Sequence, residues 1–224
     1  MTGAPRHRAL LLDLDGTLLD TAPDMAAAIN RLRLEEGRAA LPFASVRPQV
    51  SHGARALVEL GFGKPAPEEF ERLRLRFLAL YAEALAHGTR LFPGCEALLS
   101  TLEGQGVPWG IVTNKPGYLT TPLLATLGLL DRAACVVAGD TVAERKPHPL
   151  PLLHAATLIG RAPGDCVYAG DAERDIVAGR AAGMHTVAVR YGYLAPGEDP
   201  AAWRPDAIVD APGELLGFLA AGAG

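Results

Sequence analysis

The chain has 224 residues, 49% of them hydrophobic and 21% charged, with a formal net charge of −4. That is a globular composition, enough for one domain with a sizeable insertion or for two small ones. It carries no basic footprint for nucleic acid, no run of ~20 apolar residues for a membrane span, and only three cysteines without C-x-x-C spacing, which excludes a disulfide framework or zinc site and makes the cytoplasm the default location.

Arg6, His7 and Arg8 precede an apolar run, as in a signal peptide. Asp13 and Asp15 interrupt that run, and no small-residue cleavage pattern follows. Residues 8–13 instead read as a short strand buried on both faces, ending in Asp13-Leu14-Asp15-Gly16-Thr17. From Thr21 to Arg90 the pattern is helical and shows no strand. One helix is expected over Asp24 to Glu36, closed by Gly37. Another is expected over Pro67 to His87, opened by Pro67, Glu68 and Glu69 and ended by Gly88. Ser51-His52-Gly53-Ala54-Arg55 and Gly61-Phe62-Gly63-Lys64-Pro65 break the stretch between them.

After Phe92-Pro93-Gly94 strands and helices alternate. Helices are expected over Cys95–Glu103, Leu119–Leu127, Leu150–Ile159 and Asp175–Ala182. Strands are expected over Trp109–Thr113, Cys135–Ala138, Cys166–Gly170, Met184–Val189 and Ala207–Val209. This rhythm implies an α/β fold, a Rossmann-like parallel sheet with helices on both faces and an inserted all-helical cap. The core then comprises residues 1–20 and 91–224, and the cap residues 21–90. The Ala/Gly-rich end from Leu219 to Gly224 reads as frayed.

Polar clusters close the expected strands: Asp13/Asp15, Thr113/Asn114/Lys115, Lys146, and Asp171/Asp175. Taken singly, each is ordinary: a helix cap, a turn, a solvated loop. Together they bring two acidic pairs, hydroxyl and amide donors and a cation to the sheet edge where ligands gather. Converging carboxylates need a hard cation, and oxygen ligands favour Mg2+. Lys and Thr donors suit the remaining oxygens of a phosphate. A carboxylate near phosphorus can attack it in line, and a second Asp two residues on can protonate the leaving oxygen and later activate water.

Asp13-Leu14-Asp15-Gly16-Thr17-Leu18-Leu19-Asp20 resembles the first motif of the haloacid dehalogenase-like hydrolase superfamily. Val112-Thr113-Asn114-Lys115-Pro116 resembles the second, Lys146-Pro147 the third, and Gly170-Asp171 with Asp175 the fourth. The resemblance implies a magnesium-dependent phosphatase acting through an aspartyl-phosphate. Asp13 is then the nucleophile and a metal ligand, and Asp15 the acid/base whose backbone carbonyl also ligates. Thr113 and the following backbone at Asn114 bind phosphate. Lys146 stabilises phosphate and nucleophile, Asp171 is the other metal ligand, and Asp175 ligates directly or orients metal waters. Asp15 argues against dehalogenation, since dehalogenases of the superfamily lack the second Asp of the first motif. Ala172 departs from the Ser or Thr common after Asp171, which touches second-sphere detail only. Glu173 reads as a solvated residue at a helix start.

The segment 21–90 resembles the cap of phosphatases similar to phosphoglycolate phosphatase, which places Ser51-His52-Gly53-Ala54-Arg55 in a substrate-facing loop. Gly53, His52 and Arg55 are candidate substrate contacts. Arg55 either clamps a carboxylate or lies on the exposed face of the following helix. His52 also fits a surface turn, and Lys115 either faces substrate or solvates its loop. The chain further resembles N-acetylmuramic acid 6-phosphate phosphatases, through Gly53-Ala54-Arg55-Ala56, Trp109 to Pro116, Arg174-Asp175-Ile176, and Ala188 to Tyr193 with Trp203. That branch implies N-acetylmuramic acid 6-phosphate as substrate, in peptidoglycan recycling, with 2-phosphoglycolate as the alternative and a phosphomutase as a more distant one. The expected partner is a small phosphate ester carrying a carboxylate, with no nucleic acid or membrane, and the expected assembly is a monomer or homodimer. A non-catalytic binding protein is disfavoured because every principal motif position is filled.

Overall fold

The computed structural model describes residues 8–219. Arg6, His7 and residues 220–224 of the expected frayed end lie outside them; Leu219, the first residue of that end, is instead buried and donates its N–H to the Leu216 carbonyl at 3.2 Å, because its side chain joins the core. Strand β1 (Ala9–Leu12) is buried at all its positions. Leu10 and Leu12 face one helical layer, Ala9 and Leu11 the other. Burial on both sides explains the unbroken apolar run.

Strand β2 (Leu19–Asp20) follows and pairs antiparallel with β3 (Arg90–Leu91). Between them stand α1 (Ala22–Glu35), α2 (Phe43–Val46), α3 (Gly53–Phe62) and α4 (Pro67–Glu83), with a 3-10 turn over Arg47–His52. The expectation of no strand up to Arg90 is corrected at its last residue: a two-residue pairing is too short for any period. Asp24, buried in the first turn of α1, joins the two ends of this helical segment. Its carboxylate accepts the Gly88 N–H at 2.6 Å and the Thr89 N–H and hydroxyl at 3.0 and 2.6 Å. Helix α4 stops at Glu83 rather than His87, and the chain turns with Ala86 at a φ of 62°. Exposed pairs between α1 and α4, such as Arg76–Glu35 and Arg72–Glu36, both at 2.7 Å, dress the outside of that packing.

The rest of the chain is α5 (Cys95–Gly104), β4 (Trp109–Val112), α6 (Gly117–Thr126), β5 (Cys135–Val137), α7 (Leu150–Leu158), β6 (Cys166–Gly170), α8 (Glu173–Ala181), β7 (His185–Val189) and β8 (Ala207–Val209). The six-stranded sheet has the order β5-β4-β1-β6-β7-β8, and every pair is parallel. Helices α5 and α6 pack on the face of Leu10, Ile111 and Val167, whereas α7 and α8 pack on the face of Leu11, Val112 and Tyr168. The chain grows from β1 to β4 and β5 on one side, then crosses to β6 on the other. The carboxyl ends of β1, β4 and β6 therefore meet at the switch point, where an open parallel sheet leaves a crevice. No helix among the described residues is long and apolar enough to cross a membrane.

Candidate active site

Asp13 follows β1, Thr113 follows β4, Asp171 follows β6, and Asp175 lies in the first turn of α8. Lys146 comes from the loop between β5 and α7. All five are buried. The Lys146 ammonium meets Asp13 Oδ1 and Asp175 Oδ1 at 2.8 Å each, the Val112 carbonyl at 2.8 Å and the Tyr168 hydroxyl at 2.7 Å. Its three protons thus have four acceptors, and the cation serves to hold the carboxylates. Asp13 Oδ1 also accepts the Leu14 N–H at 2.7 Å.

Asp13, Asp171 and Asp175 each offer an oxygen within 4.8 Å of the others. Burial, joined by repulsion from Asp175, pushes the Asp13 carboxyl up to about 6 despite Lys146 and Arg174. Burial, with Asp13 and Asp175 beside it, pushes Asp171 up to about 7. Asp171 Oδ2 accepts the Ser51 hydroxyl at 2.6 Å and the Tyr193 N–H at 3.0 Å. Its Oδ1 is buried and has no partner among the described residues. Asp175 is spoken for at both oxygens: Oδ1 by Lys146, with the Tyr168 hydroxyl at 3.2 Å, and Oδ2 by the Ala172 N–H at 3.2 Å. Glycines make the cluster possible. A Cβ on Gly16, whose φ is 91°, would collide with the Asp171 carboxylate, and one on Gly170 would collide with Asp175. An unpartnered buried oxygen among mutually repelling carboxylates, with donors already on the outer oxygens, fits a hard divalent cation.

Asp15 stands beside the cluster. Its Oδ1 accepts the Thr21 hydroxyl at 2.6 Å and the Lys115 ammonium at 3.0 Å. Lys115 is buried and lies 4.5 Å from the centre of the Tyr81 ring. Burial alone would lower its pKa, but Asp15 and Tyr81 outweigh that and hold it above the usual lysine range. Of the two sequence readings for Lys115, the solvated loop is therefore excluded. Asn114 exchanges hydrogen bonds with the Lys146 backbone, at 2.9 and 3.0 Å, and so ties the loop after β4 to the one carrying Lys146. Thr113 Oγ1 accepts the Lys115 N–H at 3.1 Å, shaping the turn after β4.

These residues open into a cavity of about 330 Å³. Asp13, Asp15, Thr113, Asn114 and Lys115 line it from the sheet side; Ser51, His52, Gly53 and Arg55 line it from the helical segment. His52 is exposed, and burial of part of its ring, with Arg174 nearby, lowers its pKa. The Arg55 side chain is 78% exposed, pairs with Glu59 at 3.0 Å and stacks on Phe70. It follows the exposed-face reading while bordering the cavity. Glu173 is exposed.

Residues given no individual role by the sequence take part as well. Ser51, read only as part of the substrate-facing loop, has its hydroxyl also 3.3 Å from the Asp15 carbonyl oxygen. Tyr168 sits inside an apolar strand, and its lone polar atom was the available signal. Arg174, inside the fourth motif, lines the cavity and donates to the Ser51 carbonyl at 2.6 Å.

The profile of the haloacid dehalogenase-like hydrolases matches residues 7–183. A phosphoglycolate phosphatase of Xanthomonas campestris pv. campestris is 49% identical over 208 residues, covering 93% of this chain and 94% of that protein. An N-acetylmuramic acid 6-phosphate phosphatase of Pseudomonas aeruginosa is 44% identical over 215 residues, covering 96% and 95%. The solved structure of a predicted phosphoglycolate phosphatase from Haemophilus somnus superposes with a TM-score of 0.83 at 28% identity, covering 94% of this chain and 96% of that one.

Proposed function

Because this chain belongs to the haloacid dehalogenase-like hydrolase family, we propose that it is a magnesium-dependent phosphatase that cleaves N-acetylmuramic acid 6-phosphate through a phosphorylated Asp13. One observation carries the reading. Asp13 lies at the cavity wall with Oδ1 fixed by Lys146 and the Leu14 N–H, beside an Asp171 oxygen that has no partner.

Magnesium, when bound, withdraws charge from the phosphate oxygens. Asp13, the Asp15 carbonyl and Asp171 Oδ1 would hold it. Asp175, with both oxygens engaged, orients the surroundings and would act on the metal through water. Asp13 Oδ2 attacks phosphorus in line as the ester oxygen departs, and Asp15 gives that oxygen its proton. Asp15 then takes a proton from water as the water oxygen attacks phosphorus of the phosphorylated Asp13 and the bond from phosphorus to Asp13 Oδ2 breaks. Inorganic phosphate leaves and the Asp13 carboxylate is restored. Lys115 and Thr21 hold Asp15 Oδ1, which leaves Oδ2 to carry the proton. Thr113 and the backbone around Asn114 receive the phosphate.

Residues 21–90 act as a cap that supplies Ser51, His52 and Gly53 to the closed site and keeps water from the reacting groups. A cavity of about 330 Å³ suits an amino-sugar phosphate, at the lower end of the ~300–1,000 Å³ of ordinary ligand pockets. A two-carbon ester would leave much of it empty. The second reading is 2-phosphoglycolate, favoured by the 49% identity to a protein of that name. The test is a phosphate-release assay on both esters, with and without magnesium and with no sugar acceptor. The amino-sugar ester is expected to win in kcat/KM; a ~10-fold preference for 2-phosphoglycolate, about 1.4 kcal/mol, would install the second reading. Isomerisation without phosphate release would indicate a mutase.

A further inference from the structure

The cavity is bordered by four arginines, and their partners separate them. Arg55 is paired with Glu59 at 3.0 Å and Arg74 with Glu71 at 2.6 Å. Arg145 is exposed and donates through Nε to the Gly139 carbonyl at 2.6 Å. Arg174 differs from all three. It is half-buried, and its Nη2 reaches the Ser51 carbonyl at 2.6 Å. Among the described residues, no carboxylate stands within salt-bridge distance of its guanidinium. The nearby Asp175, Asp13 and Asp171 act on it at longer range.

The lysines cannot take its place. Lys146 is enclosed by four protein oxygens and is not part of the cavity wall. Lys115 is committed to Asp15 at 3.0 Å. A guanidinium has five N–H donors in a planar fork, and Arg174 spends one of them on Ser51. A half-buried, permanently charged fork bordering a cavity, short of acceptors, calls for an anionic one. Thr113 and the loop after β4 line the sheet side of the cavity, where the proposed mechanism puts the phosphate. Arg174 meets Ser51, on the side of the cavity lined by the helical segment.

Resting on the phosphatase reading above, we propose that Arg174 is a specificity-determining residue that binds a carboxylate of the leaving group. By holding that carboxylate and the Ser51 carbonyl at once, Arg174 also ties the substrate to the helical segment.

The test uses ester pairs that differ in the carboxylate: N-acetylmuramic acid 6-phosphate against N-acetylglucosamine 6-phosphate, and 2-phosphoglycolate against 2-hydroxyethyl phosphate. Arg174→Gln keeps a donor for the Ser51 carbonyl and removes the charge; Arg174→Lys keeps the charge and removes the fork. Arg174→Gln is expected to lower kcat/KM for the carboxylate member by about 10- to 100-fold, the worth of a charge-assisted pair, and for its partner by less than about 3-fold. Arg174→Lys is expected to fall between. Equal losses on both members would overturn the proposal, because Arg174 would then serve the phosphate or the fold. The ratio of Kd values within each ester pair, measured with magnesium in Asp13→Asn protein with and without Arg174→Gln, decides the point without turnover. A wild-type protein that releases phosphate from no ester would refute the phosphatase reading. Arg174 would still be judged by those ratios: a ratio that collapses supports it, and a ratio that survives, or was never above unity, overturns it.

Discussion

Replacing Asp171 by Asn is expected to stabilise the metal-free protein and to abolish its response to magnesium. The Asp171 carboxyl is raised from 3.8 to about 7 because it is buried beside Asp13 and Asp175. The folded protein therefore holds a proton there that the unfolded chain has released. Stability from this group is full below the unfolded value and is lost as pH rises through the window from about 4 to about 7. Some three pKa units at about 1.4 kcal/mol each set an upper limit near 4 kcal/mol for the penalty above that window. Repulsion from Asp13 is among the causes, so part of this sum is shared with Asp13. The Asn amide oxygen still accepts from Ser51 and from the Tyr193 N–H, and its NH2 group replaces the unpartnered Oδ1. About 2 kcal/mol of stabilisation at about pH 8 is the expected outcome, or roughly 4–8 °C in Tm for a chain of this size, fading towards about pH 4. Thermal denaturation in EDTA and in magnesium reads both effects. Wild type should gain from magnesium and Asp171→Asn should not. A variant less stable than wild type in EDTA at alkaline pH, or one that gains equally from magnesium, would refute the electrostatic account of the cluster.

Asp13→Asn should leave the circular dichroism spectrum unchanged while phosphate release falls by at least ~1,000-fold, as when a nucleophile is removed. Lys146→Met leaves Asp13 and Asp175 buried without their cation and should cost about 3 kcal/mol at neutral pH, with a smaller loss in acid, by denaturant titration. Gly16→Ala forces a Cβ against Asp171 at a positive φ; lost stability should come with weaker magnesium binding by calorimetry. Tyr193→Phe removes a hydroxyl that donates to Asp20 at 2.7 Å and accepts the Ala22 N–H at 2.9 Å. A loss of about 1–2 kcal/mol is expected, and hydrogen exchange should quicken around β2 and the start of α1.

The sheet was legible because β1, β4, β6 and β7 are buried on both faces and read as unbroken apolar runs between breakers. Strands β2 and β3 were hidden because a two-residue pairing has no period. The end of α4 was placed too late because Ala84 to His87 has no local breaker, and tertiary packing turns the chain at Ala86 instead. In the candidate site, Asp13, Asp15, Thr113, Asp171 and Asp175 were legible by position, each following a strand or opening the helix after it, and Lys146 by its place in a loop beside Pro147. Ser51 was not: its meaning comes from Asp171, 120 positions along the chain. Arg174 was visible as part of a motif, but only the third dimension separates it from arginines that already have acid partners. The roles of Lys115 and Asn114 likewise depend on which neighbours the fold brings to them, Asp15 in one case and the Lys146 backbone in the other.

The most direct measurement is to trap the covalent species. The protein is mixed with magnesium and N-acetylmuramic acid 6-phosphate, quenched in acid during turnover, and reduced with borohydride, which converts an acyl phosphate to an alcohol. Peptide mass spectrometry should find the reduced side chain at residue 13 alone, dependent on both substrate and magnesium. Sustained turnover with no reduced residue, or reduction at another carboxylate, would contradict the assignment of Asp13 as the nucleophile.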